Sequence, residues 1–160
     1  MNTSTQFVQT YLHSVGHRGE IVMLADSART AAQAAAALGC EVAQIAKSLV
    51  FAAADGRGVL VIASGSNRVD ETRIAALLGE SIGKATAAQV REWTGYAIGG
   101  VPPVAHQTPL RTFLDEDLAQ YDQIWAAAGH PHAVFPLSFA DLVRWTGGTV
   151  TRVRQQELNM

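Results

Sequence analysis

The stretch Ser48-Leu49-Val50-Phe51-Ala52-Ala53-Ala54-Asp55-Gly56-Arg57-Gly58-Val59-Leu60-Val61-Ile62-Ala63 decides the fold. Two runs rich in β-branched and apolar residues flank a short Asp-Gly turn, which predicts a β-hairpin with Ala54 to Gly58 as its connection. Further strand-like runs lie at Ile21 to Leu24, Arg111 to Leu114, Ile124 to Ala127, Ala133 to Leu137 and Val150 to Val153.

Helix punctuation fills the intervals. Ser or Thr three residues before Gln or Asp, with a closing glycine, marks helices opened by Thr3, Thr30, Thr86 and Ser138 and ended by Gly16, Gly39, Gly95 and Gly147. Phe7, Tyr11 and Val15 are expected on the buried face of the first. Asp70 is expected to cap a fifth, with Ile74, Leu77 and Leu78 inward and Gly79 at its end. Strands and helices follow in irregular order rather than strict alternation. The expected class is therefore α+β, with a mixed, largely antiparallel sheet and flanking helices.

The chain has 160 residues, 48% hydrophobic and 16% charged, which suits one domain spanning residues 1–160 with a substantial core. A formal net charge of −2 supplies no overall basic field, so a polyanionic partner must be gripped locally. The single cysteine, Cys40, rules out an intramolecular disulfide and a four-cysteine metal site. Neither a signal peptide nor a membrane-spanning run is recognisable, and a cytoplasmic location without a membrane partner is expected.

Lys47 carries its charge inside the apolar stretch from Val42 to Ala54, in a chain with one other lysine, Lys84. Either its stem snorkels to an edge or its ammonium meets an anion. Gly99-Gly100-Val101-Pro102-Pro103 also has two readings, a stiff surface loop or a rigid set of backbone donors facing a developing oxyanion. A phosphate-cradling loop, a dinucleotide fingerprint and a nucleophile elbow are all missing, and Ser64-Gly65-Ser66 lacks the glycine setting of a nucleophile. His130-Pro131-His132, even with Cys40 or His106, matches no zinc-ligand spacing, so neither metal nor cofactor is expected. His13 and His17 stand where a helix C-terminus favours histidine.

Ala46-Lys47-Ser48-Leu49-Val50-Phe51, Thr94-Gly95-Tyr96-Ala97-Ile98-Gly99-Gly100-Val101-Pro102-Pro103 and Ile124-Trp125-Ala126-Ala127-Ala128-Gly129, in that order, resemble the YbaK/ProX family. Its members are free-standing aminoacyl-tRNA deacylases related to the editing insertion domain of bacterial prolyl-tRNA synthetases. The similarity runs from about Ile21 to Val153 and implies a YbaK-like, partly barrel-like sheet. It also implies hydrolysis of the ester on a mischarged tRNA 3′ end, with proline tRNA as the expected substrate and prolyl-tRNA synthetase as a second candidate partner.

By this resemblance Lys47 is essential, and Gly99 and Gly100 meet the ester through their backbone. Water attacks with help from the substrate's own ribose hydroxyl. Pro102, His106, Ala127, Gly129 and His130 are the corresponding candidates for substrate binding. Ala127-Ala128-Gly129 departs from the Ser-Gly-Gly of familiar members, and alanine methyls there suggest a preference for small, weakly polar side chains such as alanine or cysteine. Arg57, Arg91, Arg111 and Arg144 are candidates for phosphate contacts. A noncatalytic module that binds tRNA ends or a synthetase is the alternative reading.

Overall fold

The computed structural model describes residues 2–156; Met1 and residues 157–160, the ends of the expected domain, lie outside the described residues. In chain order the elements are α1 (Thr3–Ser14), β1 (Val22–Met23), α2 (Ala31–Leu38), β2 (Ile45–Ala53), β3 (Gly58–Ser64), α3 (Glu71–Leu78) and β4 (Ile82–Lys84). There follow α4 (Ala87–Thr94), β5 (Arg111–Asp115), β6 (Ile124–His130), β7 (Ala133–Leu137), α5 (Phe139–Thr146) and β8 (Thr149–Thr151). Short 3-10 turns at Val42–Gln44 and Glu116–Gln120 complete the set.

The predicted hairpin forms: β2 and β3 pair antiparallel from Ala46↔Ser64 to Ala52↔Gly58. Every residue of β3 is buried, because Leu60 and Ile62 point into one core while Val59, Val61 and Ala63 point into another. The sheet runs β1-β7-β6-β2-β3-β5-β8, with β4 attached to β2 off this path. Among the described residues, four pairings are antiparallel and three parallel, a mixed α+β sheet. The sheet does not close. Its ends are β1, two residues long, and β8, three residues long, so any barrel-like character stops short of closure.

Caps act where the sequence places them. Thr30 and Thr86 form full capping boxes with Gln33 and Gln89, Ser138 and Asp70 accept from the third helical amide, and Gly39, Gly79, Gly95 and Gly147 close their helices in the left-handed region. The first helix differs from expectation. Asn2, one residue before Thr3, is its N-cap, and Thr5, Val8 and Leu12 form the buried face while Phe7 and Val15 are exposed. Leu77 of α3 likewise points outward and Ile74 alone is fully buried there. β4 escapes the sequence because three residues centred on a glycine show no strand period.

One irregularity of this topology makes the site. On its edge away from β3, β2 is paired by β6 at Ile45 and Ala46 and by β4 from Phe51 to Ala53. Residues 47–50 between them have no strand partner on that edge. The Ala53 N–H donates to Arg57 across the hairpin and the Ala54 N–H donates to Ser81 on the other side. By the alternation of a ladder, the backbone groups of Ser48 and Val50 therefore face the gap.

Candidate active site

The gap opens into a cleft of about 540 Å³ whose wall includes Lys47, Ser48, Val50, Arg68, Lys84 and Gly99. Both lysines of the chain thus meet in one concavity, with Arg68 beside them and Glu71 as the carboxylate in the lining. Leu49, Val69, Val90 and Val101 provide its apolar surface. Lys47 is half-buried where this cationic cleft meets the unpaired edge of β2.

Lys47 lies opposite Ala63 on β3, and the next residue of the parallel β3–β5 register brings Ala63 opposite Asp115. Lys47, Ala63 and Asp115 therefore form a row on one sheet face, with only a methyl between ammonium stem and carboxylate. Asp115 is fully buried and accepts from the amides of Ser64 and Asp117 and from the Asn67 side chain at 2.8–2.9 Å. Desolvation pulls the Lys47 ammonium below the ordinary lysine value; the Asp115 carboxylate opposes that shift and the Arg68 guanidinium adds to it.

Gly99 reaches the cleft in the left-handed region, φ +87°, a conformation that an L side chain rarely adopts. Gly100 stands behind it, and a Cβ there would lie 2.9 Å from His130 Cα, so the loop packs backbone to backbone on the end of β6. The Gly100 N–H donates to Ala97 at 3.0 Å and is not free for a ligand. Among the described residues no acceptor is found for the Ala97, Ile98, Gly99 and Val101 amides, and of these residues Ile98, Gly99 and Val101 line the cleft.

None of the remaining predicted residues lines the cleft. Pro102 is buried, and its carbonyl accepts from His106 Nε2 at 2.6 Å. Burial lowers the His106 pKa, with that carbonyl opposing, and the imidazole lies against the far side of the loop, away from Lys47. His130 supplies the backbone beneath Gly100, and its Nδ1 accepts from the His132 amide. Gly129 sits in a bulge, φ +89°, where a Cβ would meet Ser4 of α1 at 2.9 Å. Ala128 is fully buried in the main core, and Ala127 pairs with Val134 on β7, so the expected alanine wall does not form the cleft.

Ser48, Arg68 and Lys84 line the cleft, and the sequence does not single them out for it. The Ser48 hydroxyl is buried at the cleft with no hydrogen-bond partner among the described residues. Its adjacency to Lys47 was the available signal. Ser64, by contrast, is fully buried and donates to Ala43 at 2.7 Å, which removes it as a nucleophile. Among the described residues no three His, Cys, Asp or Glu side chains gather as a metal-ligand group, and no helix is long and apolar enough to cross a membrane.

The model of the aminoacyl-tRNA editing domain matches residues 25–145, a span that includes Lys47, the whole cleft loop and the bulge of β6. The chain belongs to the aminoacyl-tRNA editing domain family. A crystal structure of a candidate trans-editing enzyme for prolyl tRNA synthetase superposes with a TM-score of 0.92 at 44% identity, covering 98% of this chain and 99% of that one. The uncharacterised protein YwhH of Bacillus subtilis (strain 168) is 26% identical over 87% of this chain and 88% of its own length. The proline–tRNA ligase of Nitratidesulfovibrio vulgaris (strain DP4) is 35% identical over 57% of this chain. That match spans only 16% of the ligase, so this editing-domain chain corresponds to a fraction of it.

Proposed function

We propose that the protein is a trans-editing deacylase that hydrolyses the ester of a small amino acid wrongly attached to proline tRNA. The observation that carries this reading is the convergence of Lys47 and the free Gly99 amide on one cleft within an editing-domain fold. A terminal aminoacyl-adenosine enters beside the open edge of β2. The Gly99 and Val101 amides take the charge that develops on the carbonyl oxygen, and Lys47 fixes the polar end of the substrate. Water attacks the ester carbon, assisted by the free ribose hydroxyl of the substrate.

No side-chain nucleophile is needed in this scheme. Orientation and fixed backbone donors supply the rate, which agrees with the burial of Ser64 in a structural hydrogen bond. The Ser48 hydroxyl is the polar group left to meet the α-ammonium. The apolar Val50, Val90 and Val101 surface is left to the amino-acid side chain. Metal is not required, since carbonyl polarisation is assigned to amides.

The test is a panel of alanyl-, cysteinyl-, seryl- and prolyl-tRNA of the proline acceptor, read as loss of ester with time. Rapid loss of the alanyl or cysteinyl ester with survival of prolyl-tRNA is expected. Binding without ester loss from any of them would favour the noncatalytic module.

A further inference from the structure

A second concavity of about 800 Å³ continues from the cleft, sharing Arg68 and Gln155 with it. Its floor is built where the segment after β8 zips onto the segment before α3. The Asp70 N–H donates to Val153 at 2.8 Å, the Gln155 N–H donates to Arg68 at 2.9 Å, and Val69 bridges Arg154 antiparallel. The result is a groove lined by Arg68, Arg152 and Arg154 with serine, asparagine and glutamine side chains and no carboxylate.

Three guanidinium groups in one groove are unusual for a chain of net charge −2. Two of them are paired with acids that are not in the lining. Arg152 lies 3.6 Å from Asp70, and Arg154 lies 3.2 Å from Asp117 and 3.8 Å from Glu116. Each of these contacts uses one terminal nitrogen, Nη2 of Arg152 and Nη1 of Arg154. The Arg152 Nε is buried and has no partner among the described residues. Arg68 is exposed at the junction of cleft and groove.

We propose that this arginine groove carries the single-stranded nucleotides preceding the terminal adenosine, with Arg68, Arg152 and Arg154 on successive phosphates. The inference rests on the deacylase reading. A cleft of about 540 Å³ holds an aminoacyl nucleoside and little more, so the strand must leave through a charged exit, and the groove shares two residues with the cleft. Arginine forks suit phosphate bidentately, and neutral amides beside them tolerate any base. Arg57, Arg91, Arg111 and Arg144, the phosphate candidates suggested by the sequence, line neither the cleft nor the groove.

The experiment measures binding of a fluorescent six-nucleotide RNA ending in cytidine-cytidine-adenosine, by anisotropy over a range of KCl, for the wild type, Arg154→Gln, Arg154→Lys and Gln156→Glu. Thermal unfolding of each variant is recorded alongside. Wild-type affinity should fall with salt, and Arg154→Gln should weaken binding about fivefold and flatten the log–log slope by about 0.7, the share of one phosphate on a single strand. Arg154→Lys should recover most of the affinity. Gln156→Glu places a carboxylate at the exposed rim and should weaken binding similarly, which preserves the test if Arg154→Gln unfolds. No wild-type binding at low salt, or unchanged affinity and slope in the folded variants, overturns the groove. The probe carries no ester, so this result is independent of hydrolysis. Failure of the wild type to deacylate any aminoacyl-tRNA would instead remove the reading on which the groove rests.

Discussion

At the scale of single residues, Lys47 was legible because an ammonium in an apolar strand needs a reason, and its neighbours in space were not. Asp115 is 68 positions further along the sequence and becomes a neighbour only through the β2–β3–β5 register. Arg68 and Lys84 reach the cleft through segments whose local patterns say nothing of it. The row of charges makes a pH prediction. Activity that needs the Lys47 ammonium is present below its lowered pKa and is lost as pH rises through it, earlier than for an ordinary lysine. Asp115→Asn removes the influence that raises this pKa and should move the alkaline limb to lower pH, whereas Arg68→Gln removes one that lowers it and should move the limb to higher pH. Glu71 and Lys84 also line the cleft and stay unchanged in both variants. The measurement is kcat/KM against pH, corrected for spontaneous ester hydrolysis. Limbs that stay in place in both variants would separate Lys47 from the rate.

At the scale of elements, capping boxes and closing glycines were readable because each is a local hydrogen-bond pattern three or four residues long. The buried face of α1 lies one position away from the stripe the sequence suggests. Val8 and Leu12 define the same helical stripe as Thr5, and which stripe meets β6 depends on the Gly129 bulge against Ser4. The glycine loop shows the same division. Its conformational freedom is evident in the sequence, but only the structure separates Gly99, which faces the cleft, from Gly100, which packs on His130. Gly100→Val should therefore cost about 1–3 kcal/mol of stability from overpacking as well as turnover, measurable by denaturant unfolding. A fully stable variant would mean that the loop is not seated on β6. Thr86→Ala removes the cap of the helix leading into the loop and should cost about 1 kcal/mol by the same measurement, with kcat/KM changed little. A loss of turnover out of proportion to that cost would make α4 part of the site.

At the scale of the molecule, class and strand inventory were legible, since the hairpin and most other strands announce themselves by composition. The open edge of β2 was not, because it is made by what β4 and β6 leave uncovered, a consequence of long-range pairing that no local pattern records. Selectivity belongs to this scale. Seryl-tRNA should be hydrolysed about 5–100-fold more slowly than alanyl-tRNA, because a hydroxyl against Val50, Val90 and Val101 loses water without a partner. Faster seryl hydrolysis would place the Ser48 hydroxyl beside the side chain instead. Chelator should leave the rate unchanged, and loss of activity restored by zinc would contradict assignment of carbonyl polarisation to the loop amides. The most direct measurement is single-turnover deacylation of alanyl-tRNA of the proline acceptor by wild type and Lys47→Ala, with folding checked by circular dichroism. The account predicts rapid loss of the ester with the wild type and a rate about 100-fold or more lower with folded Lys47→Ala. An intact ester with the wild type, or equal rates for the two proteins, would contradict it.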